Sequence, residues 1–566
     1  MRSTITSHFF AFFIAVVVLM PSLTHSKTST TTNAASFAGA YLAGRVANHE
    51  NKIDLAINYF KRALAHQPKN INAQMDILEV MLSVGSFKEA VKQAQRLKEQ
   101  GIITPFVSLT LSVQNIIERD YKSAKNILQS QSQTSPTPNN PIPELISFWA
   151  TFGSGHHSQA IADLKNIHGP VWYNLFTNYH LALMSDLAGR TQDAEKYFTQ
   201  ALNNRQGPFI APNTYERIVI AYASFQLHHK MRKQAIQTLK HGEQTLQRRE
   251  ILTSIREKIE KGATLERLIK TPQQGASEVL YNFGTELNRK DSERIARIFQ
   301  QLSLALNPQN DAALFQLADT SARLNNLDQA IKFYRALPSN SPYYKSGQLW
   351  LSLIFARNNN YNEAIQLLTS LNDKFPNDRH IFITLAAIYM QDNKFSEAAQ
   401  VMDRAIAQIK SFQRDDWKLF YQRGIAFERL QQWSKAELDL RKALNFVPDQ
   451  PQVLNYLAYS LVDRDEKLEE SLQMLQKAST LQSQNSHILD SLGWAYYKLK
   501  QYDKAVDLLE SAVKLQPEDP TLNDHLGDAY WQVGRKREAV FQWNHAIDGK
   551  PKNSQKIQEK LKFGLQ

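Results

Sequence analysis

Near its end the chain reads LDSLGWAYY (489–497), and a related string, LNDHLGDAYW (522–531), follows. Gly493 and Gly527 hold the same place in the two strings, 34 residues apart. Glycine inside a helix costs about 1 kcal/mol relative to alanine, so its recurrence needs a reason. The surroundings recur too. From Ser486 the pattern is Leu489, Leu492, Tyr496, Tyr502, Ala505, Leu509, Ala512 and Pro517. From Pro520 it is Leu526, Tyr530, Gly534, Ala539, Trp543, Ala546 and Pro551. The small residue at unit position 20 can be followed backward from Ala539 and Ala505 through Ser471, Ala436, Ala398, Ala364, Ala330 and Ala296. It continues through Ala235, Ala194, Ala160, Ala124, Ala90 and Ala56, mostly in steps of 34, with one long step of 61 between Ala235 and Ala296.

Each feature of the unit has a physical reading. Small residues at positions 8, 20 and 27 let two antiparallel helices approach closely, and large apolar residues at 4, 7, 11 and 24 fill the remaining volume. Glycine at position 15 (Gly85, Gly155, Gly189, Gly534) suits the left-handed turn that ends the first helix. An aromatic at position 17 starts the second helix, and proline at 32 stops it. Each hairpin exposes apolar faces that only its neighbours can cover. A 34-residue helix–turn–helix unit with these markers resembles the tetratricopeptide repeat. The resemblance spans roughly 37–552 and is weakest over 105–245. It implies an all-α helical-repeat superhelix, an α-solenoid of about 14 units in two segments.

The expected organisation follows from this register. Residues 1–26 form a signal peptide and 27–36 a flexible linker, and a first array occupies 37–245. A charged connector helix at 246–276 joins it to a second array at 277–552, and 553–566 make a capping helix. In the cap, Ile557 and Leu561 are expected to cover the last repeat with the lysines outward. Arg423, where leucine is usual, and Ser471 depart locally from the pattern.

The N-terminus carries Arg2, the apolar run FFAFFIAVVVLM (9–20), Pro21, and small residues at Thr24 and Ser26. This tripartite design predicts secretory cleavage between Ser26 and Lys27. Twelve apolar residues are short of the ~20 of a transmembrane helix, and an uncleaved tether is the alternative. The chain has 0 cysteines. That excludes disulfides and thiolate chemistry, and with export it points to a bacterial periplasm. A net charge of +12 comes from 66 basic and 54 acidic residues that are interspersed. No nucleic-acid motif accompanies it, so nucleic acid is not an expected partner.

Catalytic motifs are missing from the sequence. GSGHHSQA (153–160) lacks the lysine of a phosphate loop. The pairs His156–His157 and His228–His229 project about 100° apart on a helix and have no third ligand at useful spacing. No enzyme, cofactor or metal is expected. The remaining chemistry is that of a groove. The resemblance implies that unit positions 2, 5, 9, 12 and 13 face the concave side. There the C-terminal units place Tyr421, Asn455, Tyr459, Asp490, Trp494, Tyr497, Asp524, Asp528 and Trp531. Aromatics with short polar partners suit an extended peptide, and the three aspartates favour a basic or amide-rich one. The expected function is a non-enzymatic scaffold binding other cell-envelope proteins or peptides, like comparable exported bacterial repeat proteins. A membrane-tethered assembly factor and a glycan binder are the alternatives.

Overall fold

The computed structural model describes residues 36–134, 141–167, 169–247, 249–287, 292–376, 378–551 and 553–565. The signal segment and all of the linker but Ser36 lie outside the described residues. Ser36 caps the first helix, its Oγ accepting from the Gly39 amide at 3.2 Å.

Among the described residues, regular structure is entirely helical, and a helix–turn–helix hairpin stands at every position of the small-residue register. The hairpins run from Phe37–His49 with Ile53–His66 to Pro520–Gln532 with Lys536–Asp548. Every marker residue, from Ala56 through Ser471 to Ala539, is buried. Contact at position 8 is closer still. A Cβ on Gly493 would lie 2.8 Å from Leu509, and one on Gly527 would lie 2.5 Å from Trp543. Overpacking of that kind costs about 1–3 kcal/mol, which is why glycine recurs there. The turn at position 15 is left-handed whatever residue it holds. Gly85 has φ 77° and Gly534 φ 85°, and Asn325 (58°), Gln431 (60°) and Lys500 (60°) follow them.

The chain divides into two compact units between Ile354 and Phe355, within the helix Tyr344–Arg357. This division lies outside the connector expected at 246–276. The added helix Glu250–Glu260 buries Leu252, Ile255 and Ile259 in one continuous core with the hairpins before and after it.

Within the N-terminal unit the solenoid closes on itself. The hairpin Pro272–Glu286 with Glu293–Leu306 packs on the first helices of earlier hairpins, Ile71–Ser83, Pro105–Ile117 and Ile142–Gly153. Gly275 lies flat on Trp149, Phe283 stacks on Phe176 at 4.6 Å, and Phe299 meets Phe106 at 6.4 Å. A buried ion pair pins the hairpin. Arg217 grips Glu278 through Nε (3.0 Å) and Nη2 (2.7 Å), and the Tyr179 hydroxyl (3.0 Å) and Asn282 amide (3.2 Å) donate to the same carboxylate. Burial alone would raise the Glu278 pKa, but Arg217 and Tyr179 outweigh it and hold it below the ordinary 4.5. Stripping one partner from such a pair costs about 3–5 kcal/mol. The packing also accounts for the weak pattern over 105–245. First helices there are covered on both faces, as in Pro212–His228, where every residue from Thr214 to Gln226 is buried. Polar residues in these helices turn to backbone carbonyls, as Thr110 does to Phe106 (2.6 Å) and Thr151 to Ser147 (3.0 Å).

The C-terminal unit keeps smaller cores between successive hairpins, such as Phe420, Leu440, Leu457 and Leu461. Arg423, in its leucine position, forks onto Asp439 (2.6 and 2.7 Å) and reaches Asp403 (2.7 Å) in the preceding hairpin. The cap is a helix, Ser554–Phe563, with Ile557 buried. One expectation about it fails. Lys556 and Lys562 point outward, but Lys560 points inward.

Candidate functional site

In the C-terminal unit, first helices of successive hairpins lie side by side. Arg379–Gln391 adjoins Trp417–Arg429, and Ser486–Lys498 lies between Pro451–Asp463 and Pro520–Gln532. Their inner positions form a face lined with rings. Trp417 packs on Tyr421 at 5.7 Å, and Tyr421 meets Tyr456 edge-on at 6.0 Å. The Tyr456 hydroxyl donates to Glu428 Oε2 at 2.9 Å. Tyr459 is half-buried in the same helix, and burial pushes the hydroxyls of Tyr421 and Tyr459 above their ordinary range. Further along, Trp494 is sandwiched between Tyr497 (4.6 Å, 5° between planes) and His525 (4.1 Å, 12°). Burial, then the nearby Asp528, push the Tyr497 hydroxyl up to about 12.

The structure separates the sequence-predicted site into two groups. Tyr421, Asn455, Tyr459, Trp494 and Tyr497 are half-buried on the ring-lined face. Asp490, Asp524, Asp528 and Trp531 are already occupied by the chain itself. Asp490 Oδ1 lies 2.9 Å from His525 Nδ1. Lys560 of the cap donates to Asp524 and Asp528, both at 2.7 Å, and the Trp543 indole donates to Asp528 at 2.9 Å. Trp531 lies against Trp543 at 5.4 Å, beneath Gly564. The expected preference for a basic partner is corrected accordingly. These carboxylates are buried with internal counterions and offer no free charge to a ligand.

Sequence reasoning missed His525, Lys560, Trp417 and Tyr456. His525 sits at position 6, which the register assigns to packing. Lys560 was legible, because a residue three after Ile557 lies on the same side of the helix. Of the histidine pairs, His157 stacks on Phe152 at 4.2 Å and His228 Nδ1 contacts the Ser224 carbonyl at 2.8 Å. Among the described residues no group of three or more His, Asp or Glu is arranged for a metal, and no helix is long and apolar enough to cross a membrane.

Parts of the chain match known repeat families in sequence. Residues 356–561 match the family model described as Cilia and flagella-associated protein 70 C-terminal domain, and 296–345 match Tetratricopeptide repeat. A stretch of 84 residues is 34% identical to TPR repeat-containing protein PA4667 of Pseudomonas aeruginosa. It covers 15% of this chain and 14% of that protein. These sequence matches support the tetratricopeptide repeat family for the stretches they cover, and no catalytic family is indicated. Among solved structures, the APC/C hetero-tetramer Cut9-Hcn1 is 14% identical with a TM-score of 0.39, covering 94% of this chain and 97% of that one. A tetratricopeptide repeat protein from Parabacteroides merdae is 18% identical with a TM-score of 0.37, covering 46% of this chain and all (100%) of its own.

The buried cluster generates a pH dependence. Burial alone would lower the His525 pKa, but Asp490, with Asp524 and Asp528 behind it, raises it above the ordinary 6.5, while Lys560 balances the other two carboxylates. The folded state thus holds this proton more tightly than the unfolded chain does. The resulting stability is fully present below pH 6.5 and is lost as pH rises through the folded value. Urea unfolding followed by tryptophan fluorescence should show the C-terminal unit weakening over that window. His525→Gln should remove the slope there, and a slope unchanged in the variant would contradict the assignment.

Proposed function

We propose that the protein is a non-enzymatic interaction scaffold whose C-terminal unit binds an extended segment of a partner protein along the ring-lined face. Repeat proteins of this type generally bind protein partners, and the reading rests on one observation above the others. Tyr421, Tyr459, Trp494 and Tyr497 are half-buried rings on the first helices of the C-terminal unit, with Trp494 stacked on Tyr497, and each keeps part of its surface open to solvent. Rigid aromatics of this kind supply contact area at low entropic cost. The acidic end of the face is covered by the cap, which supports a reading with binding on the hairpins before Pro520–Gln532.

Its setting is proposed to be the bacterial cell envelope, reached by export and cleavage after Ser26. The tripartite N-terminus and the 0 cysteines support this setting. N-terminal sequencing of the protein isolated from its native cells should begin at Lys27. A chain that retains residues 9–20 would replace this reading with the tethered alternative.

For the groove, partners recovered by affinity purification are compared between the wild type and Tyr459→Ala/Trp494→Ala. Loss of a central aromatic anchor weakens binding by about 2 kcal/mol or more, roughly 30-fold. The partners lost with the double variant should return when the convex-face change Leu438→Ala is made instead, since Leu438 is 70% exposed away from the groove. An unchanged partner list in the double variant would remove the groove from the account.

A further inference from the structure

We propose that two copies of the chain exchange their C-terminal cap helices, so that Ser554–Phe563 of each seats on the last hairpin of the other. The turn that leads into the cap carries the argument. Lys550 holds unit position 31. At that position preceding hairpins are extended, with φ −139° at Val447, −140° at Gln482 and −139° at Gln516. Lys550 instead stands at φ 54°, in the left-handed region. A residue with a Cβ disfavours that region. Pro551 follows directly, and the residue before a proline is driven toward extended backbone. The backbone is therefore strained at the residue that sets how the cap folds back onto its own hairpin. Opening the chain there lets Lys550 return to the extended form of its counterparts.

What holds the cap is small in extent and specific in chemistry. Ile557 is the buried residue of the helix. Lys560 Nζ reaches Asp524 and Asp528, both at 2.7 Å, Asn553 donates to Asp524 at 3.3 Å, and Gly564 lies against Trp531. The hairpin beneath has its own internal packing, with Trp543 against Gly527 and the indole donating to Asp528 at 2.9 Å. Cap and hairpin are thus separable pieces that fit one another.

This fit selects the occupant. A released cap carries Ile557 and Lys560 on one side of a helix, and a foreign helix would have to reproduce that pairing. A second copy of the chain already has it, with the matching aspartates at the matching spacing. Exchange regains every contact between chains, relieves Lys550 in both, and closes at two copies about a two-fold axis. Phe541 on the last hairpin and Phe563 on the cap, each 61% exposed, stand at the end where the second copy arrives.

The test uses the full chain as wild type, Lys550→Gly and Lys550→Val, concentrated and then read by sedimentation velocity. Both variants lose the same charge, and the Lys550 side chain is exposed. Glycine accepts left-handed backbone, and a β-branched residue resists it more than lysine does. Lys550→Gly should lower the dimer association constant and Lys550→Val raise it, each by roughly tenfold, since two turns are relieved per dimer. Lys550→Val/Ile557→Asp removes the cap's anchor and should be monomeric. Circular dichroism confirms that each variant is folded. No dimer in any chain, equal dimer fractions in wild type and both Lys550 variants, or the reverse order overturns the proposal. So does a dimer that survives Ile557→Asp, because it is held by some surface other than the exchanged cap.

Discussion

The structure depends on how closely the two helices of each hairpin can approach. A glycine, alanine or serine at positions 8 and 20 lets the large residue at position 24 sit directly against the opposing backbone, as Leu509 does on Gly493 and Trp543 on Gly527. A hairpin packed this tightly has no core of its own beyond that contact, so its outer apolar faces must be met by neighbours. The consequences differ between the two units. In the C-terminal unit each hairpin is covered by the next, and the last is covered by the Ser554–Phe563 helix, which drives Lys560 between two buried aspartates. In the N-terminal unit the hairpins also enclose a seventh, which fills their inner side.

That enclosure divides the two kinds of inner face chemically. Around Glu278 the inner side is a fully buried polar network with Arg217, Tyr179 and Asn282, and it leaves no surface for a ligand. Between Trp417 and Tyr497 the inner side is half-exposed and aromatic. A scaffold can use only the second kind of face. The division therefore leaves the second face as the open one, on which the proposed binding rests.

Much of this was legible in the sequence. The small-residue register predicted every hairpin, because glycine against a large neighbour is a local constraint that repeats with the unit. The turn at position 15 was legible only where it is glycine. Asn, Gln, Arg and Lys adopt the same left-handed φ because the hairpin imposes it. The inserted helix reads in sequence as either a hinge or a rigid splice, and only its packing shows Glu250–Glu260 as part of the core. Enclosure was invisible to a repeat register, which describes neighbours along the chain and not the return of the Pro272–Glu286 hairpin onto Ile71–Ser83, Pro105–Ile117 and Ile142–Gly153. Its trace was present in Pro105–Ile117 and Pro212–His228, helices without a polar stripe. The three aspartates were expected as free charges on the concave face. Their counterions, His525 and Lys560, come from the next hairpin and from the cap, so the acidic groove read from sequence is a neutralised one.

Hydrogen–deuterium exchange on the full chain tests the central claim, that the N-terminal inner face is filled by its own hairpin, most directly. Amides of Pro272–Glu286 should exchange as slowly as those of Pro212–His228, because both open only when the unit unfolds. Fast exchange in Pro272–Glu286, with Pro212–His228 still protected, would show that the hairpin leaves the inner face open and would contradict the account.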